Sequence, residues 1–114
     1  MMRKVLIACS DDGVSNVIRK HLSRYDVYTC DTGEEAIYQI NQLQPDVLVI
    51  FLVLAKIDGF TVLRKISFKP SVTIVLTPIV TIEIINTAEN LGVQGLIPIP
   101  FSMRYLVRII DECL

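Results

Sequence analysis

Residues 45–52 read Pro45-Asp46-Val47-Leu48-Val49-Ile50-Phe51-Leu52. The apolar side chains that follow Asp46 leave no polar face. Neither the alternation of a half-buried strand nor the stripe of a surface helix fits such a run. A short apolar run rich in β-branched residues and opened by a proline is a strand covered on both sides. Such a strand belongs near the middle of a parallel sheet with helices above and below it. Apolar residues continue through 47–55, nine in all, which is too short to cross a bilayer.

Upstream, residues 5–9 form a similar run, closed by the turn Ser10-Asp11-Asp12-Gly13. Val14, Val17, Ile18, His21 and Leu22 then recur at helical spacing, which makes His21 a packed residue of that stripe. Residues 27–30 read as a second strand. Asp31 or Thr32 can cap the next helix, with Glu34 and Glu35 in its first turn. Ala36, Ile37, Ile40 and Leu43 form its inner face, and Pro45 ends it. Downstream of the central strand, a loop over 53–59 leads to a helix with Phe60, Leu63 and Ile66 inward, closed by Pro70. Residues 72–77 form a strand stopped by Pro78. Residues 81–91 form a helix with Ile85, Ala88 and Leu91 inward and Ile82 and Ile84 outward, ended by Gly92. Residues 94–98 form the fifth strand, and Ser102 caps a last helix reaching about residue 113, with Met103, Leu106, Ile110 and Cys113 inward and Tyr105 and Val107 outward. Five strands alternating with five helices predict an α/β fold with a doubly wound parallel sheet and right-handed crossovers.

The 114 residues are 52% apolar and 20% charged, with 11 basic and 12 acidic side chains. Disorder is excluded at that composition. A folded monomer of this size exposes about 6,300 Å², roughly a third of the unfolded chain's surface, so a core forms without disulfides or metal. A net charge of −1 with no block of like charge gives no footprint for nucleic acid or an anionic membrane. Cys9, Cys30 and Cys113 are an odd number without a Cys-x-x-Cys, which fits a reduced, cytoplasmic setting. The amino-terminal residues do not read as a signal peptide.

Ligand sites in such sheets lie at the carboxyl ends of the strands. The turn at 10–13 offers carboxylates rather than a glycine-rich phosphate cradle, so no nucleotide or flavin cofactor is expected. Asp11 and Asp12 are hard oxygen donors suited to Mg²⁺, and equally suited to capping a helix. Cys9 stands at a strand end, but neighbouring acids raise rather than lower a thiol's pKa. No catalytic residues emerge, and the chain is not expected to be an enzyme.

With these pieces in place the chain resembles the receiver (CheY-like) domain of two-component response regulators. The resemblance rests on Gln44-Pro45-Asp46-Val47-Leu48-Val49-Ile50, Asp58-Gly59-Phe60 with Leu63, Val75-Leu76-Thr77, Leu91-Gly92-Val93 and Pro100-Phe101. It implies a flavodoxin-like five-stranded sheet of order 2-1-3-4-5, as a single domain over 1–114 or as a piece of a longer regulator. In that family an aspartate at the third strand end accepts a phosphoryl group, an acidic pair at the first holds Mg²⁺, and a lysine precedes the last proline. The matching positions here are Phe51, Cys9 with Ser10, and Ile99; the switch threonine is kept as Thr77. The switch aromatic of the fifth strand is replaced by Leu96. The resemblance therefore implies a pseudo-receiver, with packing in place of phosphoryl chemistry. It also implies a cis Ile99-Pro100 bond.

The function expected is a phosphorylation-independent interaction module of a two-component-type system. Its protein partner, or a second copy of itself, would meet the face of the fourth helix, fifth strand and fifth helix, at Ile82, Ile84, Leu96, Tyr105 and Val107. Alternatives are the regulatory domain of a longer transcription factor or kinase, and a ligand-binding flavodoxin-like domain.

Overall fold

In the computed structural model, which describes residues 2–114, the apolar run after Asp46 becomes β3 (Val47–Phe51). Its first four side chains are fully buried. Around it the order is β1 (Lys4–Ala8), α1 (Asp12–His21), β2 (Asp26–Cys30), α2 (Gly33–Leu43), β3, α3 (Gly59–Lys65), β4 (Val72–Thr77), α4 (Ile82–Asn90), β5 (Gly95–Pro98) and α5 (Met103–Cys113). The sheet runs β2-β1-β3-β4-β5, and every pairing is parallel. The expected topology is met, with β3 in the centre.

Side chains alternate across the sheet, as the period of a strand requires. Val5, Ile7, Val47, Val49, Ile74 and Leu76 face one way, onto Ile18 and Leu22 of α1 and Leu106 and Ile110 of α5. Leu6, Ala8, Leu48, Ile50 and Val75 face the other way, onto α2, α3 and α4 through Ala36, Ile40, Phe60, Val62 and Ala88. Two helical layers explain why the central strands are continuously apolar. β2, at the edge, is only partly buried over most of its length.

Every helix starts with a side-chain cap just beyond a strand end. Asp11, Thr32, Asp58, Thr81 and Ser102 accept from the amides of Val14, Glu35, Thr61, Ile84 and Tyr105. Each cap contributes about 1 kcal/mol. Thr32, rather than Asp31, caps α2.

Three helices turn differently from the sequence reading. In α4 the inner stripe is Ile84, Ala88 and Leu91, packed on the cluster around Phe60. Ile85, expected inward, is 39% exposed, because consecutive helical residues are rotated by about 100°. In α5 Val107 packs against the cluster of α1 and β1, beside Leu106, and so turns away from α4 and β5. Cys113, expected inward, is exposed in the last turn. In α1 Val17 and His21 are exposed, and the His21 ring meets the Val17 carbonyl at 2.9 Å. Ser15 takes an inward place beside Ile18. The Ile99-Pro100 bond is cis, as expected.

Gly33 opens α2 against the β3–α3 loop. A Cβ there would lie 2.3 Å from the Ile57 carbonyl oxygen, a backbone atom with no freedom to move aside. Gly92 follows α4 with φ +75° and open space around it. Gly33→Ala is therefore expected to cost about 2–3 kcal/mol by overpacking. Gly92→Ala should cost about 1 kcal/mol by backbone conformation alone. Equilibrium urea unfolding checks both; a Gly33→Ala variant no weaker than Gly92→Ala would contradict the packing described.

Candidate functional site

The registers Ala8↔Ile50, Phe51↔Leu76 and Thr77↔Pro98 bring Cys9, Phe51, Thr77 and Ile99 to one edge of the sheet. Cys9 is buried in the cluster shared with α1 and α5, and Phe51, Ile99 and Phe101 pack against that same cluster. Burial pushes the Cys9 thiol pKa up, with Asp11 and Asp12 adding to the rise against a backbone hydrogen bond that lowers it. The thiol donates to the Asp11 carbonyl at 3.4 Å.

Polar groups at this edge are committed to backbone. The Ser10 hydroxyl donates to the Asp31 carbonyl at 2.7 Å and accepts from the Ala55 amide at 2.9 Å. One side chain thus ties together the loops that follow β1, β2 and β3. The Thr77 hydroxyl is fully buried; it donates to the Ile79 carbonyl at 2.7 Å and accepts the Ile79 amide at 3.2 Å. Asp11 holds the Val14 amide at 3.1 Å. Asp58 holds the amide and the hydroxyl of Thr61. Asp12 is the first residue of α1 and is exposed.

Among the described residues no three His, Cys, Asp or Glu side chains converge on a point where an ion could sit. Mg²⁺ coordination at Cys9, Ser10 and Phe51 would require oxygen ligands. A serine hydroxyl already bonded twice, a thiol and a phenyl ring do not fit it. No cation stands at the Ile99 position either. At Cys9, Ser10, Phe51, Thr77 and Ile99 this edge carries neither a carboxylate nor a cation.

Of the interface residues read from sequence, Ile82 and Tyr105 are exposed, at 74% and 45%. Leu96 is half-buried and lines a shallow cavity of about 500 Å³ with Val80, Ile85, Val93 and Pro98. Ile84 instead lines a separate cleft with Leu52, Phe60 and Arg64. Val107 lines one between α1 and α5 with His21, Met103 and Arg104. These two residues therefore drop out of the expected face. Ile79 and Val80, which the sequence reading did not name, and Ile85, which it placed inward, are exposed beside it. Their signal was the apolar stretch Ile79-Val80 directly after Pro78.

The model of the response regulator receiver domain matches residues 5–111. The chain belongs to the response regulator receiver family. It is 31% identical over 106 residues to "Probable transcriptional regulator ycf27" of Guillardia theta, an alignment covering 90% of this chain and 42% of that relative. The chain thus spans less than half the length of the curated relative it matches. A CheY-like receiver from Methanospirillum hungatei superposes with a TM-score of 0.91 at 22% identity, over 98% of this chain and 93% of that one. A chemotaxis response regulator of Vibrio cholerae gives 0.88 at 22%, over the whole of both chains. At these identities the likeness is one of fold.

Phe51, which the sequence resemblance sets at the family's acceptor position, ends β3 against the cluster around Cys9. Restoring the aspartate alone, Phe51→Asp, is expected to destabilise the domain by about 3 kcal/mol, through lost packing and an unpaired carboxylate against an apolar cluster. Thermal and urea unfolding read the change. A variant as stable as the parent would mean that the edge is wetter and more accommodating than the packing around Cys9 indicates.

Proposed function

We propose that this receiver is a pseudo-receiver, a cytoplasmic signalling module that contacts a protein partner without being phosphorylated. The observation that carries this reading is Phe51 at the end of β3, packed on the cluster of Cys9, Ile99 and Phe101. Transfer of a phosphoryl group to protein needs a nucleophile, and a divalent cation to offset the charge that develops. Phe51 has no nucleophilic atom, and Ile99 supplies no positive charge. Because the acids and the lysine are replaced together, no lone buried charge is left behind; a lone one would cost several kcal/mol. The reading includes no enzymatic activity, no cofactor and no contact with nucleic acid or membrane by this domain. Among the described residues no helix is long and apolar enough to cross a membrane.

Incubation with acetyl phosphate and Mg²⁺ is expected to leave the intact mass unchanged, for the parent and for Phe51→Asp alike. A stoichiometric gain of one phosphoryl group, mapped to Asp11, Asp12 or Asp58, would sink the reading.

The contact surface we assign is the face of α4, β5 and α5 formed by Val80, Ile82, Ile85, Leu96 and Tyr105. Contiguous exposed apolar residues mark interaction sites more often than scattered ones do. A second copy of the chain is the simplest occupant, since a self-complementary patch closes by two-fold symmetry. Light scattering is then expected to give a dimer, and Ile82→Asp with Ile85→Asp a folded monomer. An unchanged dimer in the double variant would place the contact elsewhere. The match to less than half of a transcriptional regulator favours a second reading as well, in which this domain regulates a longer transcription factor or kinase.

A further inference from the structure

An open cleft of about 700 Å³ lies between α1 and α5, away from β5 and α4. Met103 and Val107, both half-buried, form its apolar base, and Arg104, Arg108 and His21 stand exposed around it. Val17, one turn before His21 on α1, is 43% exposed and continues the apolar surface along that helix. The one carboxylate of the lining, Asp111, is already engaged. It accepts from the Arg24 guanidinium at 2.5 Å and from the Tyr25 hydroxyl. The Tyr25 bond, and then Arg24, hold its carboxyl below the usual carboxylate range, so it stays ionised with Arg24 matching its charge. Arg108 meets Glu112 at 3.5 Å, both of them well exposed, and such a pair contributes little. Among the described residues Arg104 has no ion-pair partner.

Charge is divided between the two sides of the domain, although the whole chain is close to neutral at −1. Residues 13–25 carry Arg19, Lys20 and Arg24 and no acid, whereas residues 82–98 carry Glu83 and Glu89 and no lysine or arginine. A bland account covers part of this. Arg19 and Lys20 stand in the last turn of α1, where the helix dipole favours cations. Arg104 has no such reason. It stands in the first turn of α5, where the dipole disfavours a cation, and no acid of that turn offsets it. An unpaired arginine in an unfavourable place, beside apolar side chains left half-open, is complementary to a carboxylate carried on an apolar surface.

From this complementarity we infer that the α1–α5 cleft is a second contact surface, and that its occupant is an acidic amphipathic helix of a partner protein. The apolar stripe of such a helix lies on Met103, Val107 and Val17, and its acids meet Arg104 and Arg108, the helix-in-groove mode of recognition. The 11 residues of α5 extend about 16 Å, so an occupant of matching length presents apolar side chains over about three turns. Opposite charge steers it to this side and repels it from Glu83 and Glu89. Nucleic acid fits less well, because the apolar base of the cleft has nothing to offer a phosphate chain. The inference is independent of the proposed pseudo-receiver role and of the α4–β5–α5 face.

The test is titration of the ¹⁵N-labelled chain with a helical peptide of about 18 residues, leucine along one face and glutamate on the other. The comparison probes are its lysine-for-glutamate counterpart, a glutamate peptide of the same composition with the leucines scattered, and a DNA oligonucleotide. Saturable shifts at the amides of Val17, His21, Arg104, Val107 and Arg108 are expected with the first peptide alone. Arg104→Gln with Arg108→Gln should weaken binding about tenfold, and the remote Lys65→Glu should leave it unchanged. Arg104→Glu with Arg108→Glu should transfer the preference to the lysine peptide, an exchange that loss of structure does not produce. The inference is overturned by absence of saturable shifts, by shifts at Ile82 and Ile85 instead, or by full affinity in the Arg104→Gln, Arg108→Gln variant. It is equally overturned if the scattered peptide, the lysine peptide or the oligonucleotide binds the parent chain as tightly at these amides. Concentration-dependent shifts there in the chain alone would give the cleft to a second copy and overturn it too.

Discussion

Everything in this domain depends on the burial of β3 on both faces. Its residues from Val47 to Ile50 have no exposed surface, and they anchor one helical layer through Val47 and Val49 and the other through Leu48 and Ile50. A fully buried methyl-rich side chain contributes about 1.5–3 kcal/mol relative to an exposed one. The strand also leaves no room within the sheet for polar chemistry. Charged or hydrogen-bonding groups can stand only where the strands stop, and that is where the five helix caps and the receiver family's functional positions fall.

The edge so defined carries a hydrogen-bonded frame, and in the proposed reading the receiver family's charges there are replaced. Ser10 ties three loops together, Thr77 closes the turn into α4, and Asp11 and Asp58 hold helix starts. These bonds are worth about 1 kcal/mol each. None of them needs a metal or a phosphoryl group to be complete. The apolar replacements Phe51 and Ile99 join the cluster of α1 and α5. Of the large apolar side chains left exposed, Ile79, Val80, Ile82 and Ile85 follow one another closely beyond Pro78, while Met2, Val17, Tyr38, Val53 and Tyr105 lie elsewhere along the chain. In the proposed reading, the module has exchanged a chemical switch for a standing contact surface.

The strands were legible because an uninterrupted apolar run admits few interpretations. Helix starts were legible where Asp11, Thr32 and Ser102 are good caps after a strand; the caps at Asp58 and Thr81 emerge only in the structure. What could not be read was the rotation of the outer helices. Ile84 and Ile85 are adjacent isoleucines, and a pattern based on apolar identity cannot choose which one faces Phe60. Leu106 and Val107 pose the same ambiguity, resolved by the neighbouring α1. Of the stripe that held His21, Val14, Ile18 and Leu22 stay inward while Val17 and His21 turn outward, and Ser15, a polar residue, takes an inner place.

The central claim is that the carboxyl edge of β3 no longer accepts a phosphoryl group. The most direct test is an amide spectrum of the labelled chain recorded with beryllium fluoride and Mg²⁺, which together mimic a phosphoryl group bound to an acceptor carboxylate. The account predicts that the amides of Phe51, Leu52, Thr77, Ile79 and Ile99 stay where they are. A new set of resonances in slow exchange at Thr77 and through the turn into α4 would contradict it.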